Sequence, residues 1–248
     1  MIAFRLLRVF LHVMRGLWTC ALVFPLVGAD GRARRIRNWS IDLLAIFRLT
    51  VVVRHAGSGA LAPRALIVAN HVSWLDIFVI NAMQPCRFVA KSDIRSWPVL
   101  GFLCARSGTI FIARGRVRDV RRIFQDLVSS IRNGEHVAFF PEGTTSAQGS
   151  LLPFHANLFE AAIDAGVPIQ PMALRYVDAN GALAPQADFI GEMTFAESMM
   201  VILKAPRLTA ELIVLPLIDS TGAHRRELAP AARAVIAQAL GYGVDGGF

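Results

Sequence analysis

The sequence predicts an α/β fold, a single domain with a central, largely parallel or mixed sheet flanked by helices and preceded by an N-terminal helical hairpin. Three observations carry that expectation. From Leu49 onward, short β-branched runs alternate with stretches of helical periodicity, the pattern of strands and crossover helices. At 248 residues the chain can bury one core without disulfides or structural metal. Apolar residues make up 54% and charged residues 18%, which excludes disorder and lies on the greasy side of an ordinary soluble protein.

Strands are expected at 49–54, 65–69, 87–90, 109–113, 136–140, 168–175 and 208–215. The clearest helix has Val117, Val120, Phe124, Leu127, Val128 and Ile131 at helical spacing, with Gly134 placed to cap its end. A second is expected over 156–165, ending at Gly166, and a third over 225–240. Segments 56–63 and 178–185 read as loops. The boundary falls between an N-terminal segment, 1–48, and an α/β domain, 49–248. Neither GxGxxG nor GxxxxGK[ST] occurs, so nucleotide binding by those devices is not expected. Cys20, Cys86 and Cys104 form no CxxC pair, which argues against a disulfide framework or a zinc site; no metal is expected, and the thiols read as inert.

The net charge of +8 is unevenly spread. Residues 1–54 hold nine arginines against Asp30 and Asp42, and residues 87–122 hold Lys91 and eight arginines against Asp93 and Asp119. Such clustering suits an anionic surface or a phosphorylated substrate, or is a solvated face. Within the first cluster, Arg5, Arg8, His12 and Arg15 share an arc of about 80° on an otherwise apolar helix, the form of a helix lying at a lipid interface. Residues 16–29 carry no charge but are too few to span a bilayer, which takes about 20 residues, and joining them to the first helix would put Arg15 in hydrocarbon. Arg32, Arg34, Arg35 and Arg37 follow, suited to anionic head groups. The N-terminus is therefore expected to be a membrane-associated helical hairpin, monotopic, with a single span as the alternative.

Two short segments carry candidate chemistry. Strand 65–69 runs into Asn70, His71, Val72, Ser73, Trp74, Leu75 and Asp76. On one continuous helix His71 and Asp76 would point about 140° apart. They can meet if His71 sits in the strand-to-helix turn, Ser73 caps the helix and Asp76 lies in its first turn. The carboxylate would then hold one ring nitrogen and leave the other as a base. The second segment is Phe140, Pro141, Glu142, Gly143, Thr144, Thr145 and Ser146, at the carboxyl end of a strand, where α/β folds bind ligands. Read singly, each segment could equally be a histidine and a helix-start carboxylate without contact, or a polar turn.

Together, Asn-His-x-Ser-x-x-Asp at 70–76 and Phe-Pro-Glu-Gly-Thr at 140–144 resemble the glycerolipid acyltransferase family, typified by bacterial 1-acylglycerol-3-phosphate acyltransferases. The stretch from Gly108 through Phe111 and Ile112 to Arg114 is similar to the family's second block, and the strand from Val167 through Pro171 to Ala173 to its fourth. The sequence departs from the pattern where Ala113 replaces a frequent aspartate and Thr145 a frequent arginine.

The resemblance implies acyl transfer without a covalent enzyme intermediate. His71 would be the general base and Asp76 its partner, with Asn70, Ser73, Arg114, Glu142, Gly143, Thr144 and Pro171 around the acceptor. Acyl-CoA or acyl carrier protein would be the donor, and no further cofactor or nucleic acid is implied. The expected acceptor is lysophosphatidate; lyso-ornithine lipid is the alternative, because Thr145 removes a candidate phosphate ligand. From another class, a non-catalytic binder of anionic lipid would use the same basic helices. The expected location is the cytoplasmic face of the inner membrane.

Overall fold

The computed structural model describes residues 2–57, 61–112 and 117–243, and of residues 117–123 the backbone alone. Seven strands form one mixed sheet: β1 (Leu49–His55), β2 (Leu66–Ala69), β3 (Arg87–Lys91), β4 (Ile110–Ile112), β5 (Val137–Phe139), β6 (Ile169–Val177) and β7 (Leu208–Val214). Their order is β1-β7-β6-β2-β5-β3-β4, and every pairing is parallel except that of β6 with β7. β2 and β5 are buried along their whole length, which is why they read as unbroken apolar runs. β1 lies at an edge and shows most of its residues to solvent.

Helices cover both faces. On one side α2 (Ala29–Ile46), α3 (Asp76–Met83) and α7 (Phe195–Lys204) pack Leu43, Leu44, Val79, Ile80, Ile202 and Leu203 against the sheet. On the other, α5 (Val117–Arg132), α6 (Glu160–Ala165) and α8 (Arg225–Leu240) bury Leu127, Ile131, Ala161, Ala162, Ala232 and Ile236. The helix expected over 156–165 is a 3-10 turn, Ala156–Phe159, followed by α6, which Gly166 closes at φ 67. α7 went unforeseen; a Thr194–Glu197 capping box starts it.

Pro171 lies within β6, paired with Val68 of β2 and buried. Its carbonyl accepts from the Leu215 N–H, but a proline has no N–H to return. The Gln170 side-chain amide donates instead to the Leu215 carbonyl at 2.5 Å, so the antiparallel pair is completed by a side chain. Pro171 thus belongs to the sheet interior.

The N-terminal hairpin differs from its expected form. α1 (Ile2–Trp18) does not stop at Arg15 but runs on through a π-turn, Thr19–Val23, and a 3-10 turn, Phe24–Leu26. Arg15 is accommodated by an ion pair with Asp42 of α2 at 2.6 Å. Part of the polar stripe faces inward. Arg5 donates to the Leu203 carbonyl at the end of α7, His12 is buried against the Trp39 ring, and Arg8 is exposed. Phe4, Leu7, Phe10, Leu11, Met14 and Trp18 point away from the protein. The helix is docked through Arg5, His12 and Arg15, which find partners on α7 and α2, and through Leu6 and Val9, while a row of large apolar side chains on its outer side is left open. Ile2–Leu26 is the one helix among the described residues long and apolar enough to cross a membrane.

Candidate active site

β2, β5 and β6 run parallel to one another, so the loops that leave β2 and β5 and the chain beyond β6 meet at one edge of the sheet. Asn70 follows β2 directly. Its side-chain amide donates to the Leu174 carbonyl and accepts from the Leu174 N–H, both at 2.8 Å, extending the ladder towards β6 like one more backbone unit. Fully engaged and buried, Asn70 positions the next residue, His71, and presents no atom to a ligand.

His71 and Asp76 meet, with Nδ1 to Oδ2 at 2.7 Å. The same carboxylate oxygen accepts from the Val72 N–H at 2.7 Å and the Ser73 N–H at 3.0 Å. These bonds fold the loop back over the start of α3, whose first residue is Asp76. Ser73 does not cap that helix. Leu75 must turn into the core, so the helix begins after it, and the buried Ser73 hydroxyl has no hydrogen-bond partner among the described residues. The fourth donor to Asp76 comes from β6: the Tyr176 hydroxyl gives Oδ1 a bond of 2.6 Å. Burial and the adjacent negative charge hold the Tyr176 phenol well above its ordinary value, so it remains a donor. Asp76 is fully buried, and four donors offset the desolvation of its charge.

The loop after β5 grips the backbone of His71. Glu142 Oε1 accepts the His71 N–H at 2.7 Å, and the Ser146 N–H donates to the His71 carbonyl at 2.8 Å. Glu142 Oε2 accepts from the Ser146 hydroxyl and the Leu152 N–H. Burial pushes the Glu142 carboxyl above its ordinary range, and these donors pull it part of the way back. With both oxygens bonded inside the protein, Glu142 is placed to hold His71, not to touch an acceptor. Gly143 needs its φ of 71, and a Cβ there would come within 3.2 Å of the His155 ring. Gly143 and Thr144 are exposed beside the site, whereas Thr145 turns its hydroxyl onto the Phe189 carbonyl. Arg114 and Ala113 lie outside the described residues.

The imidazole is also fixed in plane. It stacks on Phe140 with centroids 3.9 Å apart and planes 7° apart, and Phe140 stacks in turn on Phe88 of β3. The His71 side chain keeps 18% of its surface open, and Nε2 has no partner among the described residues. The site therefore presents one nitrogen of an oriented imidazole whose other nitrogen rests on a buried carboxylate. Such a pair can take a proton from a hydroxyl and stabilise the resulting cation. The thiols lie apart from this chemistry, with Cys86 and Cys104 pushed up by burial away from thiolate formation. Among the described residues no group of His, Cys, Asp and Glu could hold a metal ion.

Tyr176, Ser146, Phe140 and Phe88 were not among the expected site residues. Tyr176 had a signal. It shares the β6 face of Met172 and Leu174, and a phenol in so apolar a run needs a buried partner.

The fold and this edge define a known class: the chain belongs to the acyltransferase family, whose match covers residues 52–175. It is 35% identical over 219 residues to a 1-acyl-sn-glycerol-3-phosphate acyltransferase from Neisseria gonorrhoeae, covering 85% of this chain and 86% of that one. It is 38% identical over 218 residues to a lyso-ornithine lipid O-acyltransferase from Pseudomonas aeruginosa, covering 87% and 83%. The crystal structure of the 1-acyl-sn-glycerophosphate (LPA) acyltransferase PlsC from Thermotoga maritima shares the fold, with a TM-score of 0.64 at 19% identity over 96% of each chain. The chain is an O-acyltransferase, as the resemblance implied.

Proposed function

We propose that this acyltransferase esterifies the free hydroxyl of a lysolipid, with His71 as general base and Asp76 as its partner. The observation that carries the reading is the 2.7 Å contact between His71 Nδ1 and a fully buried Asp76, with Nε2 left to face a substrate. The lysolipid class comes from the relatives named above. His71 Nε2 removes the hydroxyl proton as the oxygen attacks the thioester carbonyl of acyl-CoA or acyl carrier protein; the C–S bond then breaks and the thiol leaves with a proton. No enzyme nucleophile enters. Asp76 holds the ring tautomer and faces the imidazolium as it forms.

Lysophosphatidate is the acceptor we favour, with Arg114 as the candidate phosphate ligand. Lyso-ornithine lipid is the second reading, and the observation favouring it is Thr145, which ties its hydroxyl to the Phe189 carbonyl at the position where a phosphate-gripping arginine is frequent. The open apolar face of α1 supports a monotopic seat on the cytoplasmic leaflet of the inner membrane, where lipid substrate and product both reside.

The test is an assay of purified protein in nanodiscs with labelled acyl-CoA or acyl carrier protein, against lysophosphatidate, lysophospholipids and lyso-ornithine lipid. His71-dependent product from lysophosphatidate supports the first reading. Product from lyso-ornithine lipid alone keeps the chemistry and changes the acceptor. No product from any pair, with folded protein, removes the proposal.

A further inference from the structure

Beyond the hairpin, a second group of large apolar side chains lies open at the carboxyl edge of the sheet. β3 ends at Lys91, a 3-10 turn spans Ser92–Ser96, and α4 runs Leu100–Arg106. Between them the Leu100 N–H donates to the Pro98 carbonyl at 2.7 Å, closing a three-residue turn about Val99 at φ 66 and ψ −62. This is the rare, strained form of the γ-turn, and a β-branched residue at its centre is a true backbone outlier. The turn is also locked from behind, since a Cβ at Gly101 would stand 2.2 Å from the Arg95 carbonyl oxygen. What the strain achieves is display. Trp97, Val99 and Phe102 are 47%, 44% and 37% exposed, and none is drawn into the core.

We infer that the turn at 97–102 is a second membrane-insertion site, seated in an anionic bilayer beside α1. It rests on the membrane seat proposed above and adds a second point of contact to it. Three features select a bilayer as the occupant. α4, which follows the turn directly, packs against α1, so the two open apolar groups lie near each other. Its rim is basic, with Lys91, Arg95 and Arg106 exposed against Asp93 alone, and Arg106 lies over the Phe102 ring at 5.3 Å. Aromatic tips with a cationic rim are the composition that settles at head-group depth. Finally, β3 runs parallel to β5 and so ends at the same sheet edge as His71, which a lipid acceptor must reach. Contact through α1 alone leaves the protein free to roll about that helix axis; a second contact on this edge fixes the side presented to the bilayer.

The experiment is tryptophan quenching of the full chain on phosphatidylglycerol-containing vesicles whose acyl chains are brominated. Trp18 and Trp97 are the exposed tryptophans, and Trp39 and Trp74 are packed internally. Trp97→Phe and Trp18→Phe are each expected to remove a separate share of the quenching, and the double variant nearly all of it. If Trp97→Phe leaves the quenched share unchanged while Trp18→Phe abolishes it, the turn is off the membrane and the α1 seat survives. Quenching absent from every form overturns both. Val99→Gly relieves the positive φ, so it should unfold at a higher temperature while partitioning several-fold less onto these vesicles; unchanged partitioning counts against insertion. Arg95→Ala with Arg106→Ala should lower partitioning onto anionic vesicles by about fivefold per charge, from about 1 kcal/mol each, and spare neutral ones. An equal loss on both overturns the assignment of the rim to anionic head groups.

Discussion

At the carboxyl edge of the sheet, the buried carboxylates Asp76 and Glu142 have every oxygen bonded to the protein, whereas along α1 a row of large apolar side chains lies open while Arg5 and His12 turn inward. The edge is complete in itself. Its geometry is over-determined: four donors fix Asp76, Glu142 and Ser146 fix the backbone of His71, and Phe140 fixes its ring. The hairpin is incomplete without a partner, because an exposed apolar face of that size marks an interaction surface. The lesson is that preorganisation and membrane attachment use opposite placements of polar groups, and mutations should separate them.

The largest expected effect lies at the edge. His71→Ala should lower turnover by about 10²–10⁴ while vesicle binding stays unchanged, read by acyl transfer and co-sedimentation on the same preparation. Asp76→Asn should lose a similar amount in rate, because its single amide oxygen can serve only one side of the carboxylate's place, and its NH2 then faces either the Tyr176 hydroxyl or the three N–H donors; stability should fall with it.

Next comes the support of that pair. Glu142→Ala removes the acceptor of the part-buried His71 and Leu152 N–H groups, for a loss of about 0.5–1.5 kcal/mol per bond, measured by denaturant unfolding in detergent. Turnover should drop as well. Loss of rate with unchanged stability would instead place Glu142 against substrate. Tyr176→Phe removes one hydrogen bond to a buried carboxylate, about 1.5–3 kcal/mol, and should lower kcat more than it raises KM, since the hydroxyl acts only through Asp76.

The smallest effect on the fold should come from the hairpin. Leu7→Ser with Phe10→Ser should change unfolding free energy by no more than about 0.5 kcal/mol per site, yet release the protein from vesicles. If unfolding shifts by several kcal/mol, the face is packed in the free protein and the contrast between the two regions collapses.

Much of the edge was legible because its chemistry is local. His71 and Asp76 are five residues apart, and the strand before them and helix after them place both at one turn, where they can meet. Glu142 and Gly143 were legible as a pair at a strand end, but their work was not: that Glu142 reaches the His71 N–H, 71 residues back in the chain, depends on β5 lying beside β2. Tyr176 lies 100 residues from Asp76, brought close only because β6 flanks β2 on the other side. The stripe on α1 was legible as amphipathic, yet periodicity cannot tell which side a helix turns to its own protein.

By itself, then, the sequence determined the α/β alternation, the seven strands, and the placing of His71 and Asp76 at one strand-to-helix turn. These depend on hydrophobic period and on neighbours within one turn, which chain connectivity enforces. Tertiary structure alone decided the strand order, the grip of Glu142 and Tyr176 on the pair, and the inward turn of Arg5 and His12. Those depend on which distant segments share a sheet edge or a helix face, and that choice is made by burying the whole core at once.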